Sequence, residues 1–319
     1  MNKPPYDITS SILDLYGKIN ERLGQCKGLM LVRPEAQLRR ENRIKTIQSS
    51  LAIEGNTLEI EQVTAILNNQ SVLAPAKDIL EVQNANLAYE LLPTLKSHSI
   101  DDFLRTHHVL LKGLVEEAGK YRSNAVGIMK GTEVKHVAPG SHMVPSLMNN
   151  IFDYLRKDND PPVIKSCVFH YEMEFIHPFQ DGNGRMGRFW QTKILMDENR
   201  IFEFLPIEAA VKEKQKEYYQ ALADSDSQEK STQFIEYMLG RILEVLDGVL
   251  SASATKGADY GKRVEFALAQ LDGWFDRKTY LEVCKNVSTA TASRDLRQMI
   301  KDNIVEVSGS ARMTRYRKI

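Results

Sequence analysis

A mainly α-helical protein with one small β-hairpin, followed by a smaller domain of short helices and two strands, is what this sequence predicts. Three observations carry that expectation. Apolar residues recur at helical spacing through most of the first 250 residues. Within that span, β-capable runs are defensible only between Tyr121 and Pro139. After a small, polar stretch at 251–262 the charge balance changes sign.

The elements follow in chain order. Leu38, Ile44, Ile47 and Leu51 fall near helical spacing, and Gly55-Asn56 supply a left-handed stop. DILEVQNANLAYELLPTL (78–95) reads as a helix ended by Pro93, and the helix in 97–114 starts at Ser and Asp candidates for an N-cap. VPSLMNNIFDYLRKDN (144–159) and PPVIKSCVFHYEMEFI (161–176) are helical, the second stopping where Pro178 forbids continuation. A further helix begins within GRMGRFWQTKILMDEN. The runs at 126–129 and 133–137, separated by Lys130-Gly131, form the hairpin. DSDSQEKS (224–231) reads as a polar interruption between helices. The expected domains are a helical region at 1–95, a main domain at 96–250, a linker at 251–262 and a small domain at 263–319.

Composition is that of an ordinary globular protein, 42% hydrophobic and 26% charged over 319 residues. No apolar run reaches the roughly 18 residues needed to span a bilayer, and no signal-peptide core opens the chain. Cys26, Cys167 and Cys284 fit neither a zinc spacing nor a disulfide framework, so a cytoplasmic setting without membrane partners is expected. Net charge is zero, yet residues 256–319 hold 13 Lys and Arg against 8 Asp and Glu, leaving 29 against 34 elsewhere. A basic tail on an acidic body suggests two domains with different partners.

Chemistry concentrates in FIHPFQDGNGRMGR, residues 175–188. Gly182, Asn183 and Gly184 permit positive φ, so successive backbone N–H groups can converge on one anion. The loop feeds a helix whose first turn adds unpaired N–H donors and partial positive charge. Arg185 and Arg188, three apart, share a helical face suited to bidentate phosphate contacts. Asp181 offers a hard oxygen for Mg²⁺ bound partly through nucleotide oxygens, and Asn183 can orient a phosphate oxygen. His177 titrates near neutrality and can accept a hydroxyl proton. Phe179 reads as a core anchor. A glycine-rich loop alone is often only a helix start, so the joint pattern is what counts.

HPFQDGNGR at 177–185, extended by Arg188, resembles the signature of Fic-domain proteins, HPFx[DE]GNGRxxR, at nine defined positions. The resemblance covers roughly residues 40–250. It implies a Fic-type helical bundle with a β-hairpin flap at 126–137 that docks a target protein. It further implies AMP transfer from ATP to a protein Ser, Thr or Tyr hydroxyl, with His177 as general base and Asp181 as the Mg²⁺ ligand. Gly182, Asn183, Gly184 and Arg185 would cradle the α- and β-phosphates, with Met186 and Gly187 in the same nucleotide-binding turn, and Arg188 would grip the γ-phosphate. Relatives that phosphorylate their targets tend to carry lysine at the position of Gly184, so glycine there favours AMP transfer. Relatives often dimerise, and some remove AMP from their targets.

Upstream, Glu54 in SSLAIEGNTLEI (49–60) stands at a helix C-terminus, against the negative end of the dipole. Exposed glutamates occur at many helix ends. Ser50-x-x-x-Glu54-Gly55 is, however, similar to the family's inhibitory motif [ST]xxxE[GN], whose glutamate would pair with Arg188 and exclude the γ-phosphate. Tyr219, in QKEYYQAL (215–222), is a candidate to stack on adenine, with a core position as the alternative. No HExxH occurs, and His107, His108 and His170 lack ligand-type partners in sequence.

The tail reads as helices at 262–271, 275–284 and 289–303 and strands at 304–308 and 313–318. That order resembles a winged helix-turn-helix. Arg294 and Arg297 would share one face of the recognition helix, and Arg312, Arg315 and Arg317 would lie on the wing. DNA contact and protein docking both remain open for it. The whole chain could therefore also serve as a nucleotide-sensing, DNA-binding regulator.

Overall fold

Residues 3–28, 36–124, 127–130, 133–256, 260–284, 287–309 and 314–319 are described by the computed structural model. The chain divides into two compact units, Met1–Val245 and Leu246–Ile319.

In the larger unit, α1 (Ser10–Gly28), α2 (Ala36–Ile53), α3 (Ile60–Leu67), α4 (Ala76–Leu91) and α5 (Ile100–Leu111) precede a hairpin of β1 (Gly127–Lys130) and β2 (Glu133–Val137). There follow α6 (Val144–Lys157), α7 (Pro162–Ile176), α8 (Asn183–Glu198), α9 (Ile207–Glu213), α10 (Gln215–Gln228) and α11 (Thr232–Lys256), the last belonging to this unit only as far as Val245. Start and stop signals act as expected: Ser99 caps α5 by accepting from the Asp102 N–H, prolines open α6 and α7, and Gly55 turns with φ 91° just past α2. The strands pair antiparallel, with a register shift between Ile128 and Met129.

The centre of this unit is α8, buried on nearly every side from Arg185 to Met196. Helix α7 packs along it, also buried around most of its circumference. Phe103 of α5 joins the two, with ring centroids 5.1 to 6.0 Å from Trp190, Phe152, Phe179 and Phe169. The Trp190 indole N–H donates to the Ser97 carbonyl at 2.8 Å, so the largest core side chain has its polar atom satisfied. The N-terminal segment is tied down by Asp160, which accepts from Lys3, Tyr6 and Tyr154 at 2.6 to 2.7 Å.

Two expectations about connections need correction. Residues 224–228 complete α10, so the polar stretch interrupts the helices only after Gln228. Residues 251–256 end α11 instead of opening a linker, since the small polar residues there are compatible with helix once it has begun; 257–259 lie outside the described residues. The division between the two compact units falls after Val245, within α11.

In the smaller unit, α12 (Tyr260–Leu268), α13 (Arg277–Val283) and α14 (Thr289–Lys301) surround a core of Ala267, Phe275, Tyr280, Leu296 and Met299. Its sheet has three strands: β3 (Trp274–Phe275), β4 (Val305–Ser308) and β5 (Arg315–Lys318), ordered β3-β5-β4 and antiparallel. β3 takes Phe275 from the helix expected at 275–284, which starts at Arg277; a two-residue strand is too short for alternation to reveal. Arg263 of α12 forms a bidentate pair with buried Asp295 of α14 at 2.7 and 2.8 Å. Arg294, Arg297, Arg315 and Arg317 are exposed, whereas Arg312 lies outside the described residues.

Candidate active site

The loop from His177 to Gly182 connects the two most buried helices. His177 is the C-cap of α7 and adopts a left-handed backbone, φ 49° and ψ 59°, uncommon for a residue with a Cβ. Its N–H donates to the Met173 carbonyl at 3.1 Å, and its own carbonyl accepts from Arg122 Nε at 2.7 Å. Together these offset a conformational cost of about 1 kcal/mol. The imidazole is half-buried at the mouth of the loop.

Arg122, which the sequence analysis did not single out, is itself buried and gathers carbonyls from both sides of the site. Besides His177 it donates to Asn124 and Pro139, which flank the hairpin, and to Ile176, while its N–H reaches the Pro178 carbonyl. It thereby fixes the hairpin's base to the loop that carries His177. The side chains of the hairpin residues lie outside what the structure describes, as do residues 125–126 and 131–132.

Helix α8 starts from Gly182, at φ 84°. A Cβ there would come within 2.7 Å of Leu111 Cδ2, so both backbone and space require glycine. The first helical hydrogen bond runs from the Met186 N–H to the Gly182 carbonyl, leaving the N–H groups of the opening turn for an anion. Asn183 differs from the expectation. Its carboxamide closes on the backbone of Phe179, donating to the carbonyl and accepting from the N–H, both at 2.9 Å. The side chain shapes the loop, and the contribution left for an anion is its backbone N–H. Phe179 is fully buried and stacks on His107, ring centroids 3.6 Å apart. His107 accepts from the Gly119 N–H at 2.8 Å, which leaves Nε2 to donate to the Asp181 carbonyl at 3.0 Å. Burial pushes its pKa down to about 4, consistent with a neutral, positioning imidazole.

Both arginines are held by carboxylates. Arg188, almost wholly buried, donates from Nη2 to Glu54 Oε1 at 2.7 Å and to the Ser50 carbonyl at 3.0 Å, and from Nε to Ser50 Oγ at 3.2 Å. Burial, the largest influence, lowers the guanidinium's pKa; the charge and hydrogen bond of Glu54, with Tyr218 and Glu174, together outweigh it, and the net shift is upward. A Cβ on Gly184 would collide with the Glu54 carboxylate, so glycine at this position is also what lets Glu54 lie over the first turn of α8. Arg185 donates to Asp181 Oδ1 at 2.9 Å and to Glu81 Oε1 at 3.1 Å. Gly187 backs onto His170, whose ring bonds Gln191 at 2.7 Å and the Tyr218 hydroxyl at 3.1 Å.

Asp181 has a half-exposed carboxylate, one oxygen of which accepts from the Gly182 N–H and Arg185. Among the described residues no three His, Cys, Asp or Glu side chains cluster as a self-sufficient metal site. A single accessible carboxylate beside an anion cradle suits Mg²⁺ completed by nucleotide oxygens and water. Tyr219 lies on α10 beside the turn that bears Glu54, its hydroxyl 3.5 Å from the Ile53 carbonyl, and the residue is 38% exposed. The core aromatic of the pair is Tyr218. The described helices include none long and apolar enough to cross a membrane.

Tyr218 also donates to Glu174 Oε1 at 3.2 Å. Burial, with the Glu54 charge adding, pushes the Glu174 carboxyl up to about 7. Because the fold holds this proton more tightly than the unfolded chain does, the associated stability is full below about pH 4.5 and is lost as pH rises through about 7. Glu174→Gln retains the acceptor and removes the titration. Wild type and variant are expected to melt most nearly alike below about pH 4.5, with wild type falling behind progressively as pH rises to about 7 and the gap levelling off above it, in thermal melts across that range. A constant gap between them would show that Glu174 does not titrate there.

The Fic/DOC family model matches residues 97–195. Among curated proteins, the protein adenylyltransferase Fic of Nematostella vectensis is 34% identical over 171 residues, 49% of this chain and 38% of that protein. Protein adenylyltransferase fic-1 of Caenorhabditis elegans is 32% identical over 199 residues, 58% of this chain and 37% of that one. The chain thus spans under two fifths of the length of these curated relatives. The solved C. elegans Fic-1 shares the fold, with a TM-score of 0.62 at 23% identity over 77% of this chain and 73% of that one. A Fic family protein from Desulfovibrio desulfuricans G20 matches with a TM-score of 0.77 and 38% identity, covering 100% of this chain and 98% of that chain. A signature loop folded between two buried helices, with a relative matched from end to end, places the chain in the Fic family.

Proposed function

We propose that this protein is a protein adenylyltransferase that moves AMP from ATP onto a Ser, Thr or Tyr hydroxyl of a target protein, and that Glu54 restrains it. The observation that carries the reading is the His177–Arg188 loop, which gathers a proton acceptor, an exposed carboxylate, an anion-binding helix start and two arginines on one turn. The names of the relatives at 32–34% identity support the same chemistry.

In the proposed step the target hydroxyl oxygen bonds to the α-phosphorus as the α–β phosphoanhydride bond breaks. Pyrophosphate departs with that bond's electron pair, and His177 takes the hydroxyl proton. Backbone N–H groups of Asn183 and Gly184, with Arg185, hold the α- and β-phosphates, and Arg188 is reserved for the γ-phosphate. Asp181 is the residue that would hold Mg²⁺, whose bound charge neutralises phosphate oxygens. Tyr219 stands at the opening beside the inhibitory turn, where a base could stack on its exposed ring. Arg122, by fixing the hairpin's base, sets a docked target segment relative to His177.

The deciding experiment compares wild type with Glu54→Gly, each given Mg²⁺ and ATP labelled at the α- or γ-phosphate. Protein-bound α-label should rise about tenfold or more in the variant, with none from the γ-position. Bound γ-label would make the enzyme a kinase, and the absence of both labels would sink the transferase reading.

The smaller unit carries a separate surface. An open groove of about 920 Å³ is lined by Arg277, Lys278 and Arg297, with one carboxylate, Asp276, which caps α13, and with Thr289 and Ser293. Exposed cations beside hydroxyl donors suit a phosphate backbone, and this supports DNA contact as a second property of the chain.

A further inference from the structure

The turn bearing Glu54 reaches the anion loop by two routes, one direct and one through Glu81. Glu54 reaches Arg188 directly. Two residues on, Asn56 donates from Nδ2 to Glu81 Oε2 at 2.8 Å, while its Oδ1 accepts from the Leu58 N–H at 3.0 Å, which fixes the amide's orientation. The other oxygen of Glu81 accepts from Arg185 Nη1 at 3.1 Å, and Arg185 spans from there to Asp181. Glu81 lies on the buried face of α4 with Val82, Ala85 and Tyr89, and it is only 7% exposed. A carboxylate in that position needs partners on both oxygens; Asn56 and Arg185 hydrogen-bond one each, and Lys77 Nζ adds a longer ion pair, 4.0 Å from Oε1.

We infer that Glu81 is the positioning residue for Arg185. It holds the guanidinium at the phosphate cradle, and Asn56 makes that grip continuous with the turn bearing Glu54. The inference rests on the reading of the loop as an ATP site. An arginine that was flexible would have to be ordered each time nucleotide bound; one already clamped between Glu81 and Asp181 presents its fork in advance. Glu81 acts only through Arg185, and this gives the inference a signature that general destabilisation lacks.

The test uses the full-length Glu54→Gly protein as parent and measures ATP affinity by equilibrium dialysis with Mg²⁺ and labelled ATP, alongside AMP transfer. Glu81→Ala should weaken ATP binding about tenfold and raise KM for ATP by a similar factor, with kcat changing less. Glu81→Gln, which keeps an oxygen for Arg185 but turns an NH2 toward the Asn56 donor, should recover part of the loss. Glu81→Ala combined with Arg185→Ala should bind no more weakly than Arg185→Ala alone. Where Glu81→Ala does not fold, Glu81→Asp withdraws the carboxylate by a methylene and must show the same non-additivity. Unchanged affinity in Glu81→Ala, or losses that add, would overturn the inference. A parent that binds ATP but transfers no AMP would reject the transferase reading alone, because the dialysis cycle still decides the role of Glu81.

Discussion

In the Glu54→Gly protein, replacing His177 by alanine should lower AMP transfer by about 10²- to 10⁴-fold while leaving ATP affinity nearly unchanged. The reasoning is positional. His177 sits one residue past the last turn of α7 and ahead of the anion cradle, on a backbone conformation that Arg122 and Met173 hold in place. The phosphate contacts assigned to the loop come from residues 182–188, and none needs the imidazole. A base that accepts a proton only as the new O–P bond forms contributes to the transition state and hardly to ground-state binding. The loss should therefore fall on kcat, with KM for ATP little altered. Initial rates of α-label incorporation at saturating ATP, with dialysis for affinity, separate the two. A fall below about tenfold would mean that another group takes the hydroxyl proton.

The helices and the loop were legible in the sequence because their signals are local. Ser99, Gly55, Pro162 and Gly182 each fix a helix end through backbone chemistry that a few neighbouring residues specify. The pairing of Glu54 with Arg188 was legible only through the resemblance, since 134 residues separate the two. What stayed hidden is the support around the loop. Arg122 works by bonding carbonyls, which leave no mark in sequence. His107, discounted as a metal ligand, is the ring on which Phe179 stacks. Glu81 and Asn84 did leave a trace, as polar residues on the apolar stripe that Val82, Ala85 and Ala88 define on α4. A polar residue at core spacing has to find a buried partner, and for Glu81 that partner is Arg185. The Asn183 amide, expected to orient a phosphate oxygen, bonds the backbone of Phe179, a contact that the tight approach of the loop sets and that sequence does not display.

Removing the charge of Glu54 should make the protein less stable on its own and more responsive to ATP. Arg188 is 3% exposed, and Glu54 is its only carboxylate partner within hydrogen-bond distance among the described residues; Ser50 supplies neutral acceptors. Glu54→Gln keeps the shape and leaves a buried guanidinium without its counter-charge. Losing one partner of a buried pair is costly, but Glu54 is one-third exposed, so a loss of about 1–3 kcal/mol is expected. Thermal melts without nucleotide should place the variant a few degrees below wild type. ATP reverses the comparison. On the proposed reading the γ-phosphate must displace Glu54 from Arg188 in wild type, whereas in the variant it would supply the counter-charge that Arg188 lacks. Stabilisation by ligand grows as RT ln(1 + [L]/Kd), about 2.7 kcal/mol at a hundredfold excess over Kd, so the tighter-binding variant gains more from the same ATP. The control is AMP. It has no γ-phosphate to compete with Glu54, and the shift it produces should be the same in both proteins. Equal ATP shifts would place the γ-phosphate away from Arg188; an AMP shift that also differed would mean that Glu54 obstructs the whole nucleotide and not its terminal phosphate.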